Sequence, residues 1–216
     1  MVSNQTTNLL QLIIALAVTT VARVDSFHIL LAGGTGPIGK SLSSTLANDG
    51  HSVTILCRNA FLAAAPIRAS GDYGWLGKSF LEKHPTIALR DWDGGDLLDI
   101  VGQDFLGWQE DTLSKADAVI NLVGGYTIQR EMASERIVRE SLRVNPTALQ
   151  VTVGPKDEEL SMVSPGAYNT KVTRIQKCEE YVSFNCVNYE CLRIEANRVD
   201  EECHRIKNII YSRLRE

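Results

Sequence analysis

The 216-residue chain has no Cys-x-x-Cys pair, no run of lysine or arginine, no internal repeat, and no apolar stretch of the ~20 residues that a membrane-spanning helix needs. Each absence removes a class of function. Without paired cysteines a zinc or thioredoxin-type site has little support, and no metal is expected. Without a basic run, at a net charge of −4 and a pI near 5.6, the chain is not built to hold nucleic acid. Without repeats it is not a solenoid. What remains is a chain of ordinary apolar content, 44%, long enough to close one sizeable core.

The first distinct segment, LLQLIIALAVTTVA at residues 9–22, fits the core of a signal peptide. Ala22 and Ser26 offer small residues for cleavage, although the preceding MVSNQTTN lacks the usual Lys or Arg. Residues 1–26 are thus expected to direct the chain into the secretory pathway, and residues 27–216 to form the folded domain. An uncleaved N-terminal membrane anchor is the alternative. Cleavage after Ser26 would leave Phe27 as the new terminus, directly on the first strand.

The chain is organised around HILLAGGTGPIG, residues 28–39. An apolar strand (Ile29, Leu30, Leu31, Ala32) runs into the spaced glycines Gly33, Gly36 and Gly39, with Thr35, Pro37 and Ile38 between them, and then into a helical segment. A buried strand feeding a glycine turn at a helix N-terminus seats a phosphate, because free main-chain N–H groups and the helix dipole both point at the anion. The first glycine allows the tight turn. The second lets the backbone approach a pyrophosphate, and the third lets helix and strand pack closely. Residues 40–48 continue the helix with Leu42 and Leu46 on one face, and Asp49-Gly50 stops it. Residues 51–57 form the second strand. Its tip carries Arg58-Asn59 and no acid, which favours a 2′-phosphate and hence NADP(H) over NAD(H); a solvated arginine is the plain alternative.

Further along, residues 61–66 suit a short helix, and Gly71, Gly74 and Gly77 an irregular loop. Strands are expected at residues 86–89, 118–123, 148–153 and 189–194, and helices at 97–115 (interrupted by Gly102 and Gly107), 131–145, from Tyr168 onward, and at 199–214. Within 131–145, Glu135 with Arg139 and Arg136 with Glu140 are i,i+4 pairs. The alternation predicts an α/β fold, a Rossmann-type doubly wound parallel sheet in a single domain. Four of the five cysteines crowd the last 39 residues, where they are either buried thiols or, in an oxidising lumen, two disulfides.

The Gly-x-x-Gly-x-x-Gly spacing at Gly33, Gly36 and Gly39 resembles the short-chain dehydrogenase/reductase superfamily, most of all its extended and atypical branches, which include nucleotide-sugar epimerases and epimerase-like proteins. Ala116-Asp117 followed by residues 118–123 and Gly124-Gly125 looks like the "aDavinLaG" signature of those branches. The resemblance implies that Val123 and Gly124 lie beside the nicotinamide ribose, that Asp91 or Asp93 contacts the adenine, and that Asn145 is the asparagine that extended members carry on the next helix. Strand-end turn chemistry explains either aspartate equally well. The family template then has a serine after strand five and Tyr-x-x-x-Lys, in which lysine lowers the tyrosine pKa for general-base work. This chain offers Tyr168-Asn-Thr-Lys171, one residue short, with Ser161 and Ser164 closer to the tyrosine than the template has them. Residues i and i+3 are still helix neighbours, so Tyr168 and Lys171 stand as the catalytic candidates, a plain helix start being the alternative. Tyr126 and Tyr189 are followed four residues on by Arg130 and Arg193, which cannot share a proton in this way. Extended members carry a further substrate-binding lobe, of which only residues 195–216 have a counterpart here.

Two functions are open on these readings. One is an NADP-dependent oxidoreductase or epimerase-like enzyme acting on a small carbonyl or sugar-like substrate. The other is a cofactor-binding module without turnover, a redox sensor or assembly factor, either of which leaves room for an oligomer or a partner protein. The Ser26-Phe27 junction also resembles those of plastid presequences in algae with complex plastids, which implies onward passage to a plastid, although the transit stretch expected after it is missing.

Overall fold

The run Ile29, Leu30, Leu31, Ala32 has no polar residue on either face, the pattern of a strand covered on both sides. In the computed structural model, which describes residues 26–68, 74–92, 107–123, 128–157 and 168–216, this run is β1 (His28–Ala32), and all four residues are fully buried. The expected targeting segment lies outside the described residues except for Ser26.

From β1 the chain passes through α1 (Pro37–Asn48), β2 (Ser52–Cys57), α2 (Ala60–Ala64), α3 (Lys78–Lys83) and β3 (Ile87–Asp91). It continues through a π-helical turn (Gln109–Leu113), β4 (Ala118–Asn121), α4 (Ile128–Val144), β5 (Leu149–Pro155), α5 (Tyr168–Asn185), β6 (Tyr189–Ile194) and α6 (Val199–Arg215). The strands form one six-stranded sheet in the order β3-β2-β1-β4-β5-β6, every pair parallel. The expected doubly wound parallel sheet is therefore the observed one. Strand order reverses direction at β1, which pairs with β2 on one side (Ile29 with Val53) and β4 on the other (Ile29 with Ala118). Ligands of such sheets bind in the crevice beyond the carboxyl ends of the strands at that reversal.

Side chains alternate across each strand, so the two faces build separate cores. Ile29, Leu31, Val53, Ile55 and Ile120 face Leu42 and Leu46 of α1 and Ile206 and Ile210 of α6. Leu30, Ala32, Leu56 and Val119 face Trp92, Trp108, Leu113 and, from α4, Ala133 and Ile137. Each of these large apolar side chains contributes about 1.5–3 kcal/mol by leaving water.

Three local features go beyond the expectations. Gly107, an expected interruption of the connecting helix, stands at φ +55°, and residues 109–113 after it form a π-helical turn in place of α-helix; residues 97–106 lie outside the described residues. Residues 74–77 are the expected loop, but α3, launched from Gly77 at φ +89°, follows at residues 78–83 where no helix is expected. Arg136, expected in an i,i+4 pair with Glu140, is in addition only 4% exposed and lies with its guanidinium 5.7 Å from the Trp108 ring.

Candidate functional site

Four glycines shape the turn after β1, each under a different constraint. Gly33 sits at φ +77°, and a Cβ there would stand 2.8 Å from the main chain of Leu122 and Val123 beyond β4. A Cβ on Gly34 would stand 2.9 Å from the Ile55 side chain, and one on Gly39 only 2.4 Å from Gly34 Cα. The bend is thus pressed between β4, β2 and the first turn of α1. Gly36 differs: it is the N-cap of α1 with an ordinary φ of −77°, and the nearest atom to its missing Cβ is Gly33 O at 3.9 Å. The backbone there is open to an incoming group. Pro37 starts the helix without an N–H to satisfy, while Ile38 and Gly39 carry first-turn amides that have no intrahelical acceptor. No acidic side chain occupies that turn, so the dipole's positive end is not offset locally. This cradle fits a diphosphate.

A second glycine layer was not legible in the sequence. Gly74 lies so close to Thr35 that a Cβ would fall 1.8 Å from Thr35 Oγ1. The strap around it is tied down: Trp75 Nε1 donates to Ala65 O at 2.7 Å, and the N–H groups of Leu76 and Gly77 both donate to Ala63 O. Lys40 reaches back from α1 to donate to Leu76 O at 3.2 Å, its ammonium 5.4 Å from the Trp75 ring and 5.0 Å from the Phe80 ring. The only advance signal was a glycine beside a bulky aromatic in a loop. Thr35 therefore packs under this strap.

The neighbouring strand ends complete the crevice. Arg58 is exposed immediately after β2. Asn59 Oδ1 accepts the Leu62 N–H at 2.8 Å, and Asp91 Oδ1, at the end of β3, accepts the Ala60 N–H at 2.6 Å, so both residues help to cap α2. Asp91 thus performs strand-end turn chemistry, and Asp93 lies outside the described residues. At the end of β4, buried Asn121 donates from Nδ2 to Ser134 Oγ at 2.6 Å and accepts the Val123 N–H at 3.0 Å. That bond bends the chain at Val123 and brings it against Gly33. Asn121 and Ser134 were not singled out from sequence. Gly124 and Gly125 lie outside the described residues, as do Ser161 and Ser164.

Tyr168 is the first residue of α5 and Lys171, half-buried, follows one turn later. Because α5 is reached from the carboxyl end of β5, both start on the same side of the sheet as the glycine turn. The side chain of Tyr168 is not among those described. Asn145 is at the other end: its Nδ2 donates to Leu113 O at 3.2 Å and Ala116 O at 2.9 Å, both ahead of β4. It braces the bottom of the sheet, away from the crevice.

All five cysteines are free thiols. Burial, the largest cause in each case, pushes Cys57 up to about 12 and Cys186 and Cys191 up to about 11, so none of these three is an activated nucleophile. Among the described residues no group of histidine, cysteine or acidic side chains could hold a metal ion, and no helix is long and apolar enough to cross a membrane.

No family model and no curated protein matches the sequence. Solved structures do match the fold. WbmH of Bordetella bronchiseptica, solved with NAD+, aligns at a TM-score of 0.52 and 14% identity over 79% of this chain and 56% of its own. A Bacillus halodurans protein assigned as an NAD-dependent epimerase/dehydratase aligns at 0.53 and 14% over 78% of this chain and 70% of its own. NmrA, a negative transcriptional regulator solved with NADP, aligns at 0.51 and 15% over 77% of this chain and 44% of its own. The chain thus spans about half the length of WbmH and NmrA. At such identities the likeness is one of fold, and it is the fold that the glycine spacing and the β4 signature imply.

Proposed function

We propose that this chain binds a nicotinamide dinucleotide, NADP(H) in preference to NAD(H), with its diphosphate on the turn from Gly33 to Gly39. The observation that carries this is the open approach to Gly36 in a bend whose other glycines are filled by the protein's own atoms. On this reading Arg58 receives the 2′-phosphate, Asp91 or Asp93 borders the adenine, and Val123 and Gly124 line the nicotinamide ribose. Bound there, the dinucleotide supplies a hydride donor or acceptor. The chain then acts as an oxidoreductase or epimerase-like enzyme on a small carbonyl or sugar-like substrate, Tyr168 exchanging the proton and Lys171 lowering its pKa. Support comes from the parallel sheet, the position of α5, and neighbours of that fold solved with NAD+ or NADP.

A second reading, a dinucleotide-binding module without turnover, is favoured by the three-residue spacing of Tyr168 and Lys171 and by the presence of a regulator, NmrA, among the neighbours. One experiment separates the two. NADPH oxidation on a carbonyl panel that falls by about 100-fold or more in Tyr168→Phe selects the enzyme. Tight NADPH binding with no turnover on any carbonyl selects the module. Absence of binding removes both. We further propose that residues 1–26 are a targeting segment, cleaved after Ser26 on the secretory route and leading onward to a plastid. Sequencing the N-terminus of the chain purified from its own cells tests this: Phe27 as the first residue supports it, and Met1 overturns it.

A further inference from the structure

The β4–β5 ladder ends at the pair Asn121 and Thr152. Just past this last rung one side chain spans the gap. Arg130, in the first part of α4, is 3% exposed; its Nη1 donates to Val123 O at 2.7 Å and its Nη2 to Val153 O at 2.6 Å. Each terminal nitrogen thus donates to a main-chain carbonyl, one just beyond β4 and one in β5, and Nε, also buried, has no hydrogen-bond partner. The same residue touches a third element, since its main-chain carbonyl accepts the Cys178 thiol of α5 at 4.0 Å. Lys171 lies two helical turns before Cys178 on that helix. The backbone is fitted around the guanidinium: a Cβ on Gly154 would stand 3.6 Å from Nη2 and 3.0 Å from the Ile175 side chain of α5.

Burying a guanidinium is costly, and a simple bolt between two strands could be made from an amide or from apolar packing. What arginine alone supplies is a rigid planar fork with two donors at a fixed separation. We infer that Arg130 is a positioning residue for the nicotinamide end of the site. It sets the gap between Val123 and Val153 where the ladder gives out and, through the contact its guanidinium makes with the Cys178 side chain, bears on the seating of the helix that carries Lys171. The ring of the dinucleotide and the candidate proton-transfer residues then keep one relative placement. This rests on the dinucleotide reading above.

The test compares ligands with and without the nicotinamide. Full-length wild type, Arg130→Met and Arg130→Lys are titrated with NADPH and with 2′-phospho-ADP-ribose, and with NADH and ADP-ribose as a parallel pair. Arg130→Met should lose about tenfold or more in affinity for the dinucleotides, with the nicotinamide emission shift abolished, and hold the ribose ligands within about twofold. Arg130→Lys, a point charge without the fork, should fall between wild type and Arg130→Met for the dinucleotides and leave the ribose ligands unchanged. If Arg130→Met unfolds below the assay temperature, the lysine variant decides alone. Equal losses for both kinds of ligand in a folded variant, or no loss for either, overturn the proposal. So does a wild type that binds both kinds equally, because the nicotinamide then makes no contact for Arg130 to set. A wild type that binds neither removes the dinucleotide reading itself.

Discussion

Substituting the turn glycines one at a time should separate stability from binding. Gly36→Ala adds a Cβ at an ordinary φ of −77°, with no atom nearer than 3.9 Å, so the fold has no steric reason to object. Alanine is a poorer N-cap than glycine by about 0.5–1 kcal/mol, and the stiffer unfolded chain returns about as much. The melting temperature should therefore hardly move. The new methyl group nevertheless stands where a diphosphate oxygen must approach the amides. Losing two charge-assisted hydrogen bonds at about 1.5 kcal/mol each removes about 3 kcal/mol, or about 100-fold in affinity. Gly39→Ala should behave in the opposite way: its Cβ meets Gly34 backbone atoms at 2.4–2.6 Å that cannot swing aside, an overpacking cost of about 3 kcal/mol or more. Thermal melts and isothermal titration with NADPH and NADH measure both quantities on the same preparations. A stable Gly36→Ala that binds as tightly as wild type would show that no diphosphate rests on this turn.

Other consequences are read as simply. Arg58→Ala should weaken NADPH by about tenfold and NADH by much less, since only NADPH carries the 2′-phosphate that the guanidinium would pair with; equal losses in titration would refute that role. Asn145→Ala should lower stability by about 2 kcal/mol, for two lost hydrogen bonds, while dinucleotide affinity stays unchanged, because its amide braces Leu113 and Ala116. His28, His51 and His84 are each held below the ordinary 6.5, first of all by burial. The unfolded chain therefore takes up protons before the folded one as the pH falls. Their contribution is intact above about pH 6.5 and is lost as pH falls through the lowered folded values. Melting temperature should drop between pH 7 and pH 5, and less steeply in His51→Gln; a flat wild-type profile would refute the assignment.

The elements that were legible in advance are those whose cause is local. β1 and β2 could be read from apolar runs bounded by turn residues, and the stop at Asp49-Gly50 from a glycine that the structure holds at φ +90°. The opaque features are pairings across long sequence gaps. Nothing near Arg136 announces that it will lie beside Trp108, and nothing near Thr35 announces Gly74. Asn145 is an instructive miss. The resemblance places a functional asparagine on the helix after β4, but α4 has 17 residues and is about 25 Å long. A residue just past its C-terminus is thereby carried to the opposite end of the sheet from the turn where it would be needed. Spacing along a helix fixes a face, whereas height along it depends on where the helix begins, and Ile128 lies three residues earlier than the charge pattern implies.

The outer edge of the sheet bears on where a substrate would sit. β6 turns the carbonyls of Asn188 and Ile194 inward, to Gln150 and Lys156 on the β5 side, so Arg193 O and Glu195 N face the other way. Those outward groups are already taken: Arg205 of α6 donates to Arg193 O, and Glu202 accepts the Glu195 N–H at 3.0 Å. Glu202 and Arg205 also pair with each other at 2.7 Å, which holds both in place. A seventh strand could add at this end of β6 only by displacing α6, whose Ile206 and Ile210 are fully buried in the core. Extension of the sheet there is blocked by the helix that completes it. On the enzyme reading proposed above, a substrate would thus meet the chain away from this edge, at the carboxyl ends of the strands where the sheet order reverses.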